Sequence, residues 1–274
     1  MNVLWSVLIV VAADAAAVAL MLFVRRRAPE GGFFSDSDRA SGVFGVLATG
    51  FAIFAGFVIF LAFTSYDQSR SGAEQEALAL VQQYETAQFL PVAVRSRLTG
   101  ELVCYGRSVV SREWPRMESG SAGDALNPWG VALFRSMKLA APRTATEQSA
   151  YDKWFDQTTD REEARRDRIH GAAGIIPTTL WIALFLLAGV VLAYVLFYAD
   201  SGERARSQAM MIGSATTALV VTLLAVHALD NPYRAGVGSV RPVAMERSLR
   251  MIDEARAVLG ETAALPCDEA GVAR

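Results

Sequence analysis

The chain has 274 residues, a formal net charge of −2, 53% hydrophobic residues and a mean hydropathy of +0.28. This balance excludes a disordered chain, which needs low hydrophobicity and high net charge. It also excludes a nucleic-acid binder working by bulk charge, because there is no basic excess. With two cysteines (Cys104, Cys267) and two histidines (His170, His227), neither a disulfide scaffold nor a cysteine-rich metal site nor a histidine zinc triad is available.

The apolar residues fall in four blocks. Val3–Val24 carries one charge, Asp14, while Gly42–Ser65, Ile175–Tyr198 and Ala209–Leu229 carry none. About 20 apolar residues span a bilayer, so each block is a transmembrane helix candidate. The first lacks a basic leader, and Arg25-Arg26-Arg27 stands where small cleavage-site residues would follow a signal peptide, so it reads as an uncleaved anchor. The expected fold is all-α: an integral membrane protein of the cell (inner) membrane with a helical extramembrane domain between spans 2 and 3. Residues 1–65 hold spans 1 and 2 (about 3–24 and 42–65), and 66–174 form the helical domain. Residues 175–229 hold spans 3 and 4 (about 175–198 and 209–229), and 230–274 are a tail with one amphipathic helix.

Four spans put the N-terminus, residues 66–174 and the tail on one side of the membrane. The positive-inside rule counts Lys and Arg near span ends. The short loops, 25–41 and 199–208, carry six. The other side carries about seven: Arg70, Arg161, Arg165, Arg166, Arg168, Arg234 and Arg241. Charge alone therefore leaves the side open.

Between spans 2 and 3, Ala73, Ala77, Leu80, Val81, Tyr84 and Gln88 recur at helical spacing, so span 2 is expected to continue until Pro91. A helix from about Val92 to Trp114 carries Val94, Leu98, Leu102, Tyr105 and Val109 on one stripe, and Pro115 is expected to end it. Residues 118–127 have loop composition. Asn127-Pro128 has the form of an N-cap followed by Pro at the first helical position, opening a helix to about Ala140. Thr144 or Thr146 begins a charged helix toward Gly171. In the tail, Pro242 opens a helix with Met245, Leu249, Ile252 and Leu259 on one face, stopped at Gly260.

Asp14, near the middle of span 1, is a costly charge in lipid and needs a partner, a cavity or water. It is a candidate proton or cation site, or a packing hydrogen bond within the bundle. Its alanine neighbours and the lack of a second membrane acid favour packing. On span 2, Thr49, Ile53, Phe57, Phe60 and Thr64 share one helical face, with a small-residue stripe of Ala48, Ala52 and Gly56 beside it. Such a face suits either a pore helix with an apolar constriction or ordinary lipid contact. His227 and Asp230, three apart before Asn231-Pro232, could bond each other, or Asp230 could cap a helix end. No catalytic triad order, nucleophile elbow, phosphate loop or dinucleotide fingerprint is present, so no enzyme, cofactor or metal is expected. Cys104 and Cys267 lie off the membrane on the same side and read as two separate free thiols; a disulfide would mark an exterior location.

The run Gly50–Arg70, GFAIFAGFVIFLAFTSYDQSR, resembles the second transmembrane helix of bestrophins, with a Gly56-Phe57 step and a polar exit at Tyr66-Asp67-Gln68. Over nearly its whole length the chain is similar to the bacterial bestrophin-like family. The pieces that carry this are Gly42–Glu76, Tyr105 with Glu113-Trp114-Pro115, Arg165 and Arg168 leading to Pro177 and Leu180-Trp181, and Leu229-Asp230-Asn231-Pro232-Tyr233. The resemblance implies a pentameric anion channel in which five second helices line the pore. It implies an apolar neck at Thr49, Ile53 and Phe57, and the 66–174 domain and both termini in the cytoplasm. The chain departs from bestrophins where Phe63-Thr64-Ser65-Tyr66 replaces a charged, Trp-rich exit, and no calcium-binding clasp can be matched. Function is thus expected to be passive permeation of small inorganic anions through a homo-oligomer. The alternatives are a non-conducting scaffold or sensor whose helical domain binds a partner, and a proton-coupled transporter using Asp14.

Overall fold

The computed structural model describes residues 3–121 and 126–274. Residues 122–125, part of the expected 118–127 loop, lie outside the described residues. The described residues form helices α1 (Val3–Arg25), α2 (Ser37–Ala87), α3 (Val92–Ser108), α4 (Trp114–Glu118), α5 (Pro128–Met137), α6 (Ala145–His170), α7 (Thr178–Phe197), α8 (Ala205–Asp230) and α9 (Val243–Val258). Among them there is no strand, only an isolated antiparallel bridge between Cys267 and Ala273. α1, α2, α7 and α8 are long and apolar enough to cross a membrane.

The chain forms two compact units. The first joins the residues up to Thr64 with Ile175–Asp230; the second joins Ser65–Gly174 with Asn231–Arg274.

In the membrane-type unit, α2 turns Phe51, Ala55 and Val58 toward Leu184, Ala188 and Val191 of α7 and Leu219 and Val226 of α8. The 4- and 3-residue steps of that stripe keep it on one side of the helix. α1 packs by Ala17 and Met21 against Leu196, Ala199 and Ile212. Arg25 ties the end of α1 to the α7–α8 turn, donating from Nε to the Asp200 carbonyl at 3.1 Å and from Nη2 to the Ser201 carbonyl at 2.9 Å. Phe34 stacks on Tyr194 with centroids 5.4 Å apart, and Phe44 and Tyr198 join the cluster.

The helical unit is built around α3. Leu98, Leu102, Tyr105 and Val109 are fully buried, and Ala73, Ala77, Leu80 and Tyr84 of α2 face the same core. Helix starts follow local chemistry. The Asn127 side chain accepts from the Trp129 N–H, with Pro128 at the first position of α5. Thr144 and Glu147 form a capping box at the start of α6. α5 stops at Met137, short of Ala140. α9 buries Met245 and Ile252 with Leu249 partly covered, whereas Leu259 is its exposed C-cap residue.

Two expectations are corrected. Pro115 does not end the helix that begins at Val92. Residues Val109–Glu113 form a π turn, and the Trp114 N–H bonds the Val109 carbonyl five residues back. The wider turn moves aside the carbonyl that the proline ring would strike, so the chain stays helical to Glu118. Nor are Cys104 and Cys267 free thiols: they form a disulfide, with Cα atoms 5.8 Å apart across a sequence separation of 163. The tail returns to α3 and puts Cys267 on it, a long-range contact with no local signature.

Candidate functional site

Along α2, the five residues predicted to line a pore share a side that the membrane-type unit leaves uncovered. Ile53, Phe57 and Phe60 are 70%, 56% and 64% exposed, while Phe51, Ala55 and Val58 on the packed side are 7%, 2% and 0%. Thr49 and Thr64 are exposed at either end of the same face. The Thr64 hydroxyl donates to the Phe60 carbonyl at 2.9 Å, so its proton is engaged within the helix. Thr49 makes no hydrogen bond through its hydroxyl among the described residues, leaving it able to donate. In the small-residue stripe Ala52 and Gly56 are exposed, and a Cβ built on Gly56 meets nothing within 4 Å. Among the described residues, none thus comes within 4 Å of a Cβ at Gly56, on the surface where close helix approach is cheapest.

Asp14 faces α8. The Thr217 hydroxyl donates to Asp14 Oδ2 at 2.7 Å, and Oδ1 is buried with no partner among the described residues. An acid is bonded here to a neutral side chain on the adjacent helix, as packing within a bundle requires.

Asp230 serves a helix end. Its carboxylate accepts from the Ile175 and Ile176 N–H groups at 2.8 and 2.9 Å and from Trp181 Nε1 at 3.3 Å. It therefore satisfies backbone donors just ahead of α7, a helix that begins after Pro177 with no side-chain cap of its own.

The helical unit contains a constellation that residue patterns did not reveal. Arg168 is fully buried and grips two carboxylates. Its Nε and Nη2 reach Glu76, the latter at 3.1 Å, and Nη2 also reaches Glu113 at 2.7 Å. Tyr105 donates to Glu76 at 2.5 Å, and Asn127 and Arg165 donate to Glu113 at 2.8 and 3.3 Å. The Tyr233 hydroxyl donates to the Arg168 carbonyl at 2.5 Å, and Trp114 meets Tyr233 edge to face. Arg161, also buried, donates to Gln83 at 2.6 Å and lies over the Tyr105 ring. Burial would raise the Glu113 pKa, but the charges of Arg168 and Arg165 and the bonds from Arg168 and Asn127 hold it below the usual carboxylate range. Burial would lower the Arg168 pKa, and Glu76 and Glu113 reverse that, so its charge is fixed. Burial first, then the Glu76 charge, pushes the Tyr105 phenol well up. The arrangement holds charges and orients helices; it offers no activated nucleophile. One sequence signal pointed to it: Glu76 sits on the buried stripe of α2, three residues after Ala73 and four before Leu80.

Several segments that carried the bestrophin resemblance meet in this network, namely Glu76, Tyr105, Glu113-Trp114, Arg165, Arg168 and Tyr233. No curated protein matches the chain. Among solved structures, a single-residue variant of a bacterial bestrophin homologue from Klebsiella pneumoniae superposes with a TM-score of 0.67 at 13% identity, covering 89% of this chain and 98% of that one. A structure of the Klebsiella pneumoniae homologue solved by zinc phasing gives 0.66 at 14% identity, covering 92% and 99%. The model of the bestrophin-like domain matches residues 3–245. The chain, an all-α membrane protein with four membrane-spanning helices, belongs to the bestrophin-like family.

Proposed function

We propose that this chain is one subunit of a homo-oligomeric channel, pentameric as in bestrophins, that passes small inorganic anions through a pore lined by Thr49, Ile53, Phe57, Phe60 and Thr64. The observation that carries this is the two-sidedness of α2. One side is packed inside the subunit; the other offers a bare apolar row bracketed by hydroxyl residues, with small residues alongside. One helix face cannot enclose a pore, so further copies must supply the remaining walls, and the Ala52–Gly56 stripe gives them a surface for close approach. Ile53 and Phe57 form the constriction, where apolar side chains gate by dewetting. Thr49 donates a hydroxyl proton to an anion; the engaged Thr64 hydroxyl does not. Permeation is passive and needs no bond chemistry.

The test is chloride flux from liposomes holding the purified protein, with Ile53→Ala and Phe57→Ala run beside it. Removing either side chain widens and wets the neck, so both variants should conduct more than the parent. If both conduct like the parent, the neck assignment is wrong. Absence of flux from a folded monomer or dimer would favour a scaffold or sensor.

A further inference from the structure

The only two cysteines of the chain are joined to each other, and both are fully buried. The bridge is part of a built joint. The tail closes into a hook, with the Asp268 N–H on the Val272 carbonyl at 2.9 Å and the Arg274 N–H on the Pro266 carbonyl at 3.0 Å. The hook lies on Gly100, Cys104 and Ser108, spaced four residues apart on α3. A Cβ on Gly100 would stand 3.1 Å from Pro266, and one on Gly271 would stand 2.4 Å from the Ser108 nitrogen. Gly271, at φ +72°, also presents its carbonyl to Trp129 Nε1 at 2.7 Å. Arg107 adds a bond to the Asp268 carbonyl at 3.2 Å.

Disulfides persist in oxidising compartments and are rare in the cytosol. The structure also changes the weight of the charge count. Three of the four arginines between Arg161 and Arg168 are engaged within the helical unit: Arg161 on Gln83 and Glu162, Arg165 on Glu113, and Arg168 on Glu76 and Glu113. The fold accounts for them, and residues 66–174 form a segment long enough to be translocated largely regardless of charge. What remains is six arginines in the two short loops (Arg25, Arg26, Arg27, Arg39, Arg204 and Arg206) against Arg70, Arg166, Arg234 and Arg241 near the span ends of the other side.

We infer that the helical unit with its tail lies on the exterior, oxidising face of the membrane and the two short loops lie in the cytoplasm, the reverse of the orientation that the bestrophin resemblance implies, and that Cys104–Cys267 is a modification made after export. The bridge forms by thiol–disulfide exchange with a disulfide-bearing oxidase of that compartment. The two thiols become one disulfide, and their two protons and two electrons pass to the oxidase, whose disulfide becomes a dithiol. This inference is independent of conduction: it holds for a channel or a scaffold.

The test places a reporter cysteine on each side of the full-length protein, Glu118→Cys in the helical unit and Ser201→Cys in the α7–α8 turn, both at exposed positions. Intact cells are treated with a membrane-impermeant maleimide. Glu118→Cys should be labelled and Ser201→Cys should react only after permeabilisation; the opposite pattern overturns the orientation. In parallel, the parent protein is acid-trapped and denatured, and alkylated with a mass-tagged maleimide before and after reduction. No tag before reduction and two after are expected. Two tags without reduction would overturn the bridge.

Discussion

Arg168 gives the sharpest test of how the helical unit is held. Arg168→Met keeps most of the side-chain volume and removes the charge, leaving Glu76 fully buried and Glu113 nearly so without their shared cation. Breaking a buried pair by deleting one partner costs about 3–5 kcal/mol, because a desolvated charge is left uncompensated. A unit of about 150 residues loses roughly 2–4 °C of Tm per kcal/mol, so a drop of roughly 6–20 °C is expected. Trp114, Trp129 and Trp154 lie in this unit, so intrinsic fluorescence in detergent follows its melting. Glu76→Gln and the double variant complete a cycle whose coupling should exceed about 0.5 kcal/mol. The pH profile adds a sign. Glu113 has a lowered pKa, so its contribution is present above its unfolded value, about 4.3, and is lost as pH falls through the folded value. Arg168 is the leading charge holding that pKa down, so Arg168→Met should flatten the acid-side decline. A Tm within about 2 °C of the parent, with an unchanged acid profile, would refute the network as a source of stability.

Other perturbations separate packing from function. Asp14→Asn keeps an oxygen to accept from Thr217, so stability should change by less than about 1 kcal/mol and flux should persist; abolished flux would favour the proton-coupled reading. Gly72→Ala should destabilise the helical unit by about 3 kcal/mol or more in thermal melts, because the added Cβ would stand 2.6 Å from the Arg168 nitrogen and 2.7 Å from the Ala164 carbonyl, backbone atoms that cannot swing away. Cys104→Ala with Cys267→Ala releases a loop of 163 residues and should cost about 3–5 kcal/mol. A reductant should lower the Tm of the parent and leave that double variant unmoved.

The spans were legible because the bilayer demands a length of apolar chain that no other environment asks for four times in 274 residues. Local rules carried further: Asn127-Pro128 opened a helix as its chemistry requires, Thr144, one of two candidate starts with Thr146, opened the next, and the stripe from Leu98 to Val109 faced the core. The bare face of α2 could be counted out by period, since Thr49 to Thr64 follows the 3.6-residue repeat. Contacts between distant segments were not legible. Cys267 meets Cys104, and Asp230 reaches donors 54 and 55 residues earlier, only after folding. Arg168 sits in a helix so polar that it reads as solvated, and its burial depends on Glu76 and Glu113 arriving from two other segments. Pro115 misled for a different reason: the rule that proline breaks a helix assumes an α-helical carbonyl ahead of it, and the π turn removes that carbonyl.

That π turn also fixes how this segment can change length. A π turn is an α-helix holding one surplus residue, so everything after it is rotated by about 100° from where an uninterrupted helix would set it. Glu113 and Trp114 turn inward beside Arg168 in that shifted frame. Deleting any one residue from Val110 to Arg112 would remove the surplus, restore regular α geometry and keep Glu113 and Trp114 facing the guanidinium, whereas a further insertion would swing them about 100° away. In a related chain one residue shorter here, the helix would close smoothly and show no gap. The acid would still face the guanidinium, and the surplus residue alone would be gone.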